Sequence, residues 1–291
     1  MPVTPPVVLT IAGFDPSSGA GITADIKTIA AHECYGVSCI TALTVQSTQG
    51  VRRVEAVNPK IIAETLQELA ADLPVEAVHI GMLGNAQVVE VVADFLAQAL
   101  PGESRLPHIV LDPILKSSSG ADLLDAAGTR LLLERLVPLA EVVTPNLSEA
   151  SILTGLEVAD LDQMRAAAAR LHDLGAANVV ITGGHLEKAI DLLSFTTAHG
   201  RETEIFKADR QRSNSTHGTG CAFATALACH LAHGRGLPEA VLLSKVYVLA
   251  AMAAAHPLGK GVGPLHHLYR MSQQRRASTP AFEAEHAYPR N

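Results

Sequence analysis

Thr216-His217-Gly218-Thr219-Gly220-Cys221 stands directly before a long apolar stretch. Glycines at such a junction let backbone N–H groups converge on one point, and a helix N-terminus adds partial positive charge. Gly218, Thr219, Gly220 and Cys221 would then form an anion hole suited to a phosphoryl group in flight. Cys221 falls in the first helical turn, where a thiol pKa is typically lowered. It could take or position the proton of an attacking hydroxyl. The plainer reading of the same residues is a Gly-rich helix start beside a buried cysteine.

Ala12-Gly13-Phe14-Asp15-Pro16-Ser17-Ser18-Gly19-Ala20-Gly21, followed by Asp25, joins an apolar run to a helical one. It fits neither the dinucleotide fingerprint nor the P-loop. Such a loop could wrap a small substrate, or be an ordinary strand-to-helix turn in which Asp25 only complements the helix dipole. In Thr144-Pro145-Asn146-Leu147-Ser148-Glu149, Asn146 and Glu149 have the spacing of a capping box. A second use of Glu149 would be to hold Mg²⁺ with Asp112, since Mg²⁺ commonly takes one or two carboxylates plus phosphates and waters. By spacing alone, capping is the simpler account. Gln46 follows an apolar run, and its amide could read a heterocycle with donor and acceptor edges. His79, His108 and His185 read as structural histidines, and Cys34, Cys39 and Cys229 as small buried hydrophobes.

These residues need elements to hold them. Strands are expected at 7–12, 37–45, 75–80, 108–111, 141–144 and 178–182. Helices are expected at 22–31, 58–73, 85–100, 126–136, 146–153, 160–174, 219–232 and 237–255. Two further strands, 191–197 and 203–207, flank a turn at His199-Gly200 and suggest an antiparallel edge. Residues 101–107 read as a polar loop. Regular alternation of strand and helix implies a mostly parallel sheet covered on both faces. Ligands of such folds bind beyond the carboxyl ends of the strands, which singles out Gly13, Asp15, Gln46, Met82, Asp112, Asn146, Thr182 and His185.

Composition narrows the function class. Hydrophobic residues are 48% of the 291 and charged residues 18%, which excludes a disordered chain. The formal charge of −7 and an aromatic content of 3%, without Trp, argue against a nucleic-acid binder, which needs a basic stripe or a stacking platform. Anions must therefore be bound locally, by backbone amides or a metal. The start of the chain lacks the pattern of a signal peptide. The most apolar stretch, 246–255, is too short to span a bilayer, which takes about 20 residues. The expectation is a cytoplasmic protein that does not bind membrane.

TIAGFDPSSGAGITADIKT, ITALTVQSTQGV, HIGMLG, TPNLSEA, GGHL, THGTGC and GKGVGPLHH occur here in that order, from about Val8 to about His267. Together they resemble the hydroxymethylpyrimidine/phosphomethylpyrimidine kinases of thiamine biosynthesis, members of the ribokinase-like superfamily with pyridoxal kinases as relatives. The resemblance implies a three-layer α/β/α fold without a separate lid domain. It implies a kinase domain over 1–270; after Tyr269 the chain turns polar, and 271–291 reads as a flexible tail. The resemblance implies ATP and Mg²⁺ as cosubstrate and cofactor, and a homodimer. The reaction implied is phosphorylation of 4-amino-5-hydroxymethyl-2-methylpyrimidine and then of its monophosphate. A pyridoxal kinase, or a pyrimidine-binding member with reduced turnover, is the alternative.

In that reading Gln46 reads the pyrimidine, and Gly13, Ala20, Asp25 and Met82 line its pocket. Gly218, Thr219, Gly220 and Cys221 form the anion hole, with Cys221 where the wider superfamily has an aspartate base. Asn146 and Glu149 match an Asn-x-x-Glu element associated with metal and phosphates, and Asp112 joins Glu149 on Mg²⁺. Many relatives have lysines where this chain has Ser118 and Thr182. Lys116 and Thr182 are therefore the residues expected at the nucleotide phosphates.

Overall fold

The computed structural model describes residues 4–99, 108–117, 120–184, 189–209, 211 and 213–271. The 101–107 loop, Ser118, His185 and all of the expected tail but Met271 lie outside them.

Among the described residues all nine strands belong to one sheet, in the order β3-β2-β1-β4-β5-β6-β7-β8-β9. β1 (Val7–Phe14) lies inside it, parallel to β2 (Tyr35–Ser47) and β4 (Val75–Ile80). β5 (His108–Leu111), β6 (Val142–Val143) and β7 (Val179–Gly183) continue the parallel run. Strands 1 and 4 to 7 are short and nearly all apolar because helices cover both faces, which removes any need for alternation. The sheet turns antiparallel at its margins. β3 (Gly50–Ala56) returns along β2, and β8 (Ala189–Thr197) and β9 (Gly200–Ala208) extend from β7.

One core lies beneath α2 (Pro59–Asp72), α3 (Ala86–Ala99) and α6 (Leu161–Asp173), built on Leu9, Ile11, Ile80, Val92 and Leu171. The opposite core lies beneath α1 (Gly21–Ala31), α7 (Thr219–Ala232) and α8 (Leu237–Ala253), built on Val8, Val110, Leu227 and Tyr247. The three-layer α/β/α reading holds. α7 is buried along most of its length, with Ala222, Ala224, Ala226 and Ala228 letting it approach the sheet closely.

The structure adds one element and alters another. The chain from Gly50 to Ala56, to which the sequence reading assigns no element, is a strand. Its sequence, Gly-Val-Arg-Arg-Val-Glu-Ala, breaks strict alternation, because Val45 pairs with Arg53 while Gln46 pairs with Val51. Arg52 is the extra residue of a β-bulge, a device that re-aims neighbouring side chains. The helix expected at 126–136 is α-helical only through Leu131; Leu132–Leu136 form a π turn, followed by a 3₁₀ turn over Val137–Leu139.

Candidate active site

The loop between β1 and α1 is organised by Asp15, which is 3% exposed. Its Oδ1 accepts from the Ser17 amide at 2.8 Å and the Ser17 hydroxyl at 2.7 Å. Its Oδ2 accepts from the Ala20 amide at 3.0 Å and lies 2.9 Å from His217 Nε2. Burial alone would raise its pKa, but hydrogen bonds from His217 and Ser17 hold the carboxyl below its ordinary value. Asp15 thus fastens its own loop to the start of α7.

Gly218, ahead of α7, has φ +81 and touches that loop: a Cβ there would lie 1.9 Å from the Gly19 carbonyl oxygen. Only glycine allows this approach in this backbone region. The two Gly-rich segments that the sequence presents 200 residues apart are therefore one surface. Gln46 joins it from β2, with Nε2 at 3.2 Å from His217 Nε2 and Oε1 accepting from Thr44 at 3.1 Å. The segment Gly259–Gly263 closes the other side. The Val262 amide donates to the Thr48 carbonyl at 3.0 Å, and the His217 amide to the Gly263 carbonyl at 3.1 Å. Between them is a cavity of about 130 Å³ lined by Gln46, Thr48, His217, Gly261 and Val262. Met82 lies behind the β1 end, its Sδ 2.9 Å from where a Gly13 Cβ would stand.

The anionic side of the site is formed at the ends of β5 and β6. Glu149 and Asn146 make the capping box of α5 (Leu147–Thr154): the Asn146 amide donates to Glu149 Oε2 at 2.9 Å, and the Glu149 amide to Asn146 Oδ1 at 3.0 Å. Burial pushes the Glu149 carboxyl up to about 7, against the opposing amides of Asn146 and Leu115. Asp112 is raised well above its ordinary value by burial, then by the charges of Glu149 and Asp25, while the Cys221 thiol hydrogen-bonds to it. Two buried carboxylates, with the charge of Glu149 adding to the rise at Asp112, fit a hard cation, which takes oxygen ligands. Among the described residues no three His, Cys, Asp or Glu side chains are grouped to hold a metal ion, so further oxygens must come from substrate and water.

Cys221 corrects one expectation. Its thiol is raised well above the ordinary value, first by burial and then by Asp112, Asp25 and Glu149, outweighing the Gly21 amide. The helix terminus does not lower it, because burial, and after it the charges of three carboxylates, favours the neutral thiol.

The remaining residues separate into those that join this surface and those that do not. Ala20 contributes its amide to Asp15. Thr182 pairs with Asn146 in a short parallel bridge, its amide donating to the Pro145 carbonyl at 3.0 Å. Asp25 has no exposed surface. It accepts from Thr10 at 2.7 Å and Thr225 at 3.0 Å, with His79 at 3.4 Å, and so ties β1, α1, β4 and α7 together below the anion hole. Lys116 is half exposed and paired with Asp122 at 3.1 Å.

Two arrangements escaped the sequence reading. Asp15 and His217 were visible inside motifs but had no assigned task, since nothing local shows that they meet. Lys245, nearly buried in α8, donates to Asp191 at 2.5 Å, and the other oxygen of Asp191 receives the Gly183 amide at 3.1 Å. This pair fixes the end of β7 beside Thr182, and no motif announces it.

The family model described as Phosphomethylpyrimidine kinase matches residues 15–266. The chain is 41% identical over 273 residues to the hydroxymethylpyrimidine/phosphomethylpyrimidine kinase of Streptomyces coelicolor, covering 94% of this chain and 98% of that protein. It is 44% identical over 263 residues to the thiamine biosynthesis bifunctional protein ThiED of Geobacter sulfurreducens, covering 90% of this chain but only about half (52%) of that longer protein. An ADP complex of Bacillus subtilis pyridoxal kinase superposes with a TM-score of 0.82 at 34% identity, covering 92% of this chain and all of that one (100%). The site assembled from Asp15, Gln46, Glu149 and the Gly218 helix start lies within the matched span, and the chain belongs to the phosphomethylpyrimidine kinase family.

Proposed function

We propose that this chain transfers the γ-phosphoryl group of ATP to the primary hydroxyl of hydroxymethylpyrimidine, and then to that of its monophosphate. The observation that carries the reading is the packing of the Gly218–Cys221 helix start on the Asp15 loop, facing the Asp112–Glu149 carboxylates. Phosphoryl transfer relies on positioning and on stabilising charge, and this surface offers both.

The amide of Gln46 orients the pyrimidine, its carbonyl held by Thr44. Met82 and Gly13 give the ring an apolar floor in a chain with few aromatic residues. Amides of Gly218 to Cys221 receive the charge that develops on the phosphoryl group. Cys221 acts as a neutral thiol that directs the hydroxyl, because its own proton is firmly held beside Asp112. Asp112 and Glu149 would hold Mg²⁺, which supplies charge neutralisation for the phosphates. Asn146 and Thr182 border the nucleotide, with Lys116 reaching it only by leaving Asp122. Asp25 positions rather than lines, through Thr10 and Thr225.

The test is an ATP-coupled assay on hydroxymethylpyrimidine, its monophosphate and pyridoxal. Turnover of both pyrimidines is expected, and absence of both overturns the reading. Cys221→Ala should lower kcat and leave the fold intact; full activity removes the role given to the thiol. A second reading, pyridoxal kinase, is favoured by the likeness to the Bacillus subtilis enzyme. A higher kcat/KM for pyridoxal than for the pyrimidine would select it. No helix of the described residues is long and apolar enough to cross a membrane. A cytoplasmic homodimer is the proposed state; exposed Tyr35, Leu43 and Val45 on the β2 edge region offer apolar surface for it.

A further inference from the structure

With Nε2 of Gln46 at 3.2 Å from His217 Nε2, and Oε1 at 3.1 Å from Thr44 Oγ1, two hydrogens on this surface are in conflict. An imidazole nitrogen is either donor or acceptor, and a hydroxyl has one proton to give. The two ends of a carboxamide have the same shape, so the donors and acceptors around it decide which end is which.

His217 Nε2 must carry a hydrogen. It lies 2.9 Å from Asp15 Oδ2, and the Asp15 carboxylate accepts otherwise from Ser17, Gly19 and Ala20. Despite burial, hydrogen bonds from His217 and Ser17 hold that carboxyl below its ordinary value, so at neutral pH it can only accept. The imidazole is held in place, because Gly19 packs so closely on its Cδ2 edge that a Cβ would not fit. An NH₂ group of Gln46 at this nitrogen sets donor against donor. At the other end, the Thr44 hydroxyl donates to the Phe14 carbonyl at 2.9 Å. Its single proton is engaged there, and its lone pairs call for a donor. Turning the Gln46 amide by half a revolution about its last torsion removes both conflicts together. The carbonyl then meets the His217 N–H, and the NH₂ group, in place of the carbonyl, meets Thr44.

We propose that the Asp15–His217 pair and Thr44 pin the Gln46 carboxamide with its carbonyl toward His217. His217 is thereby a specificity-determining residue, selecting a ring with a donor beside the reacting hydroxymethyl group and an acceptor beyond it.

The inference rests on the pyrimidine reading of the site. With both flanks pinned, the outer edge of the amide leaves one N–H and one carbonyl lone pair for the ligand. In the aminopyrimidine, ring N3, the 4-amino group and the 5-hydroxymethyl group follow one another around the ring. N3 accepts from Gln46 on the Thr44 side, and the amino group donates to Gln46 on the His217 side. The hydroxymethyl group then lies further in the same direction, toward Gly218–Cys221, which follow His217 directly in the chain. The opposite amide would aim it away from that helix start. Pyridoxal has a carbonyl where the pyrimidine has its amino group, so acceptor would meet acceptor.

The test compares kcat/KM for the aminopyrimidine with that for its 4-oxo counterpart, whose ring N–H and carbonyl present the inverted pattern. The unaltered chain should prefer the amino compound by about 100-fold or more, since two paired groups become two mismatched ones. His217→Leu should cut that ratio about tenfold, because the released amide can turn to suit either ring. His217→Gln should restore it, since its Nε2–H stands the same number of bonds from Cβ. Damage to the fold lowers both values together and does not move the ratio, so an unchanged ratio in His217→Leu overturns the proposal. A second measurement needs no turnover. In NMR spectra of the full chain, the Gln46 NH₂ protons should show NOEs to the Thr44 side chain. NOEs to the His217 ring instead, in an enzyme that phosphorylates the pyrimidine, refute the pinning alone. A chain that phosphorylates neither pyrimidine refutes the catalytic reading, while the Thr44 contacts still report the amide.

Discussion

Gly218→Ala tests the claim that the two Gly-rich segments form one surface. The new Cβ would stand 1.9 Å from the Gly19 carbonyl oxygen, where ordinary contact begins at 3.4 Å. The loops must separate by about 1.5 Å, and the neighbour is backbone, which cannot rotate away. Left-handed backbone at a residue with a Cβ adds roughly 1–2 kcal/mol of its own. Overpacking of this kind typically costs a further 1–3 kcal/mol. The functional loss should exceed the structural one, because a misplacement of about 1 Å at reacting groups can cost about 100-fold in rate. Gly234→Ala is the matched control: its φ is +77, yet nothing lies within 4 Å of the added Cβ. It should lose about 1 kcal/mol of stability for the same backbone reason, with kcat unchanged. Urea unfolding and steady-state kinetics on both variants give the comparison. If Gly218→Ala retains the kcat of the unaltered chain, the contact of the two loops has no part in phosphoryl transfer.

Glu149 should make stability depend on pH in metal-free buffer. Its pKa rises from 4.5 to about 7 on folding, so the folded state holds the proton more tightly. That contribution is fully present below pH 4.5 and is lost as pH rises through 7. Glu149→Gln keeps the capping geometry, and above pH 7 should be the more stable protein by up to about 3 kcal/mol while losing activity; equal stability at pH 5 and pH 8 in the unaltered chain would contradict this. Lys245→Met leaves the buried Asp191 carboxylate with the Gly183 amide but no counter-charge, and should cost roughly 3–5 kcal/mol in urea unfolding. Adding Asp191→Leu should recover most of the loss, and failure to do so would remove the ion pair as the cause. Gln46→Leu should raise KM for the pyrimidine about fivefold to tenfold, the worth of one hydrogen bond, with a smaller change in kcat.

Much of the frame was legible in the sequence because it rests on local rules. Asn58, Asn146 and Asp160 cap helices where their spacing says they should, and the apolar runs at 75–80 and 108–111 are buried strands. β3 was not legible, because its bulge breaks the alternation by which a strand is recognised. The motifs marked where the site lies but not what each member does there. Asp25 carries a charge that suggests a pocket wall, and it instead bonds Thr10 and Thr225 with no exposed surface. The Cys221 thiol is raised first by burial and then by Asp112 and Asp25, which lie far away in the chain, so a rule about helix ends alone gave the wrong direction. The Asp15–His217 contact and the Lys245–Asp191 pair are long-range in the same sense.

The strap Gly259–Gly263 has a consequence for when the site comes into being. Every strand of the sheet is complete by Ala208, and α8 ends at Ala253. Yet the Gln46 cavity is closed only when Val262 bonds to Thr48 and Gly263 to the chain on either side of Ser215. During synthesis, where folding proceeds from the N-terminus, a chain made only as far as Ala253 has the architecture but not the binding cavity. Fold and competence are thus separated in time, and a nascent chain can settle its sheet before it is able to hold a substrate.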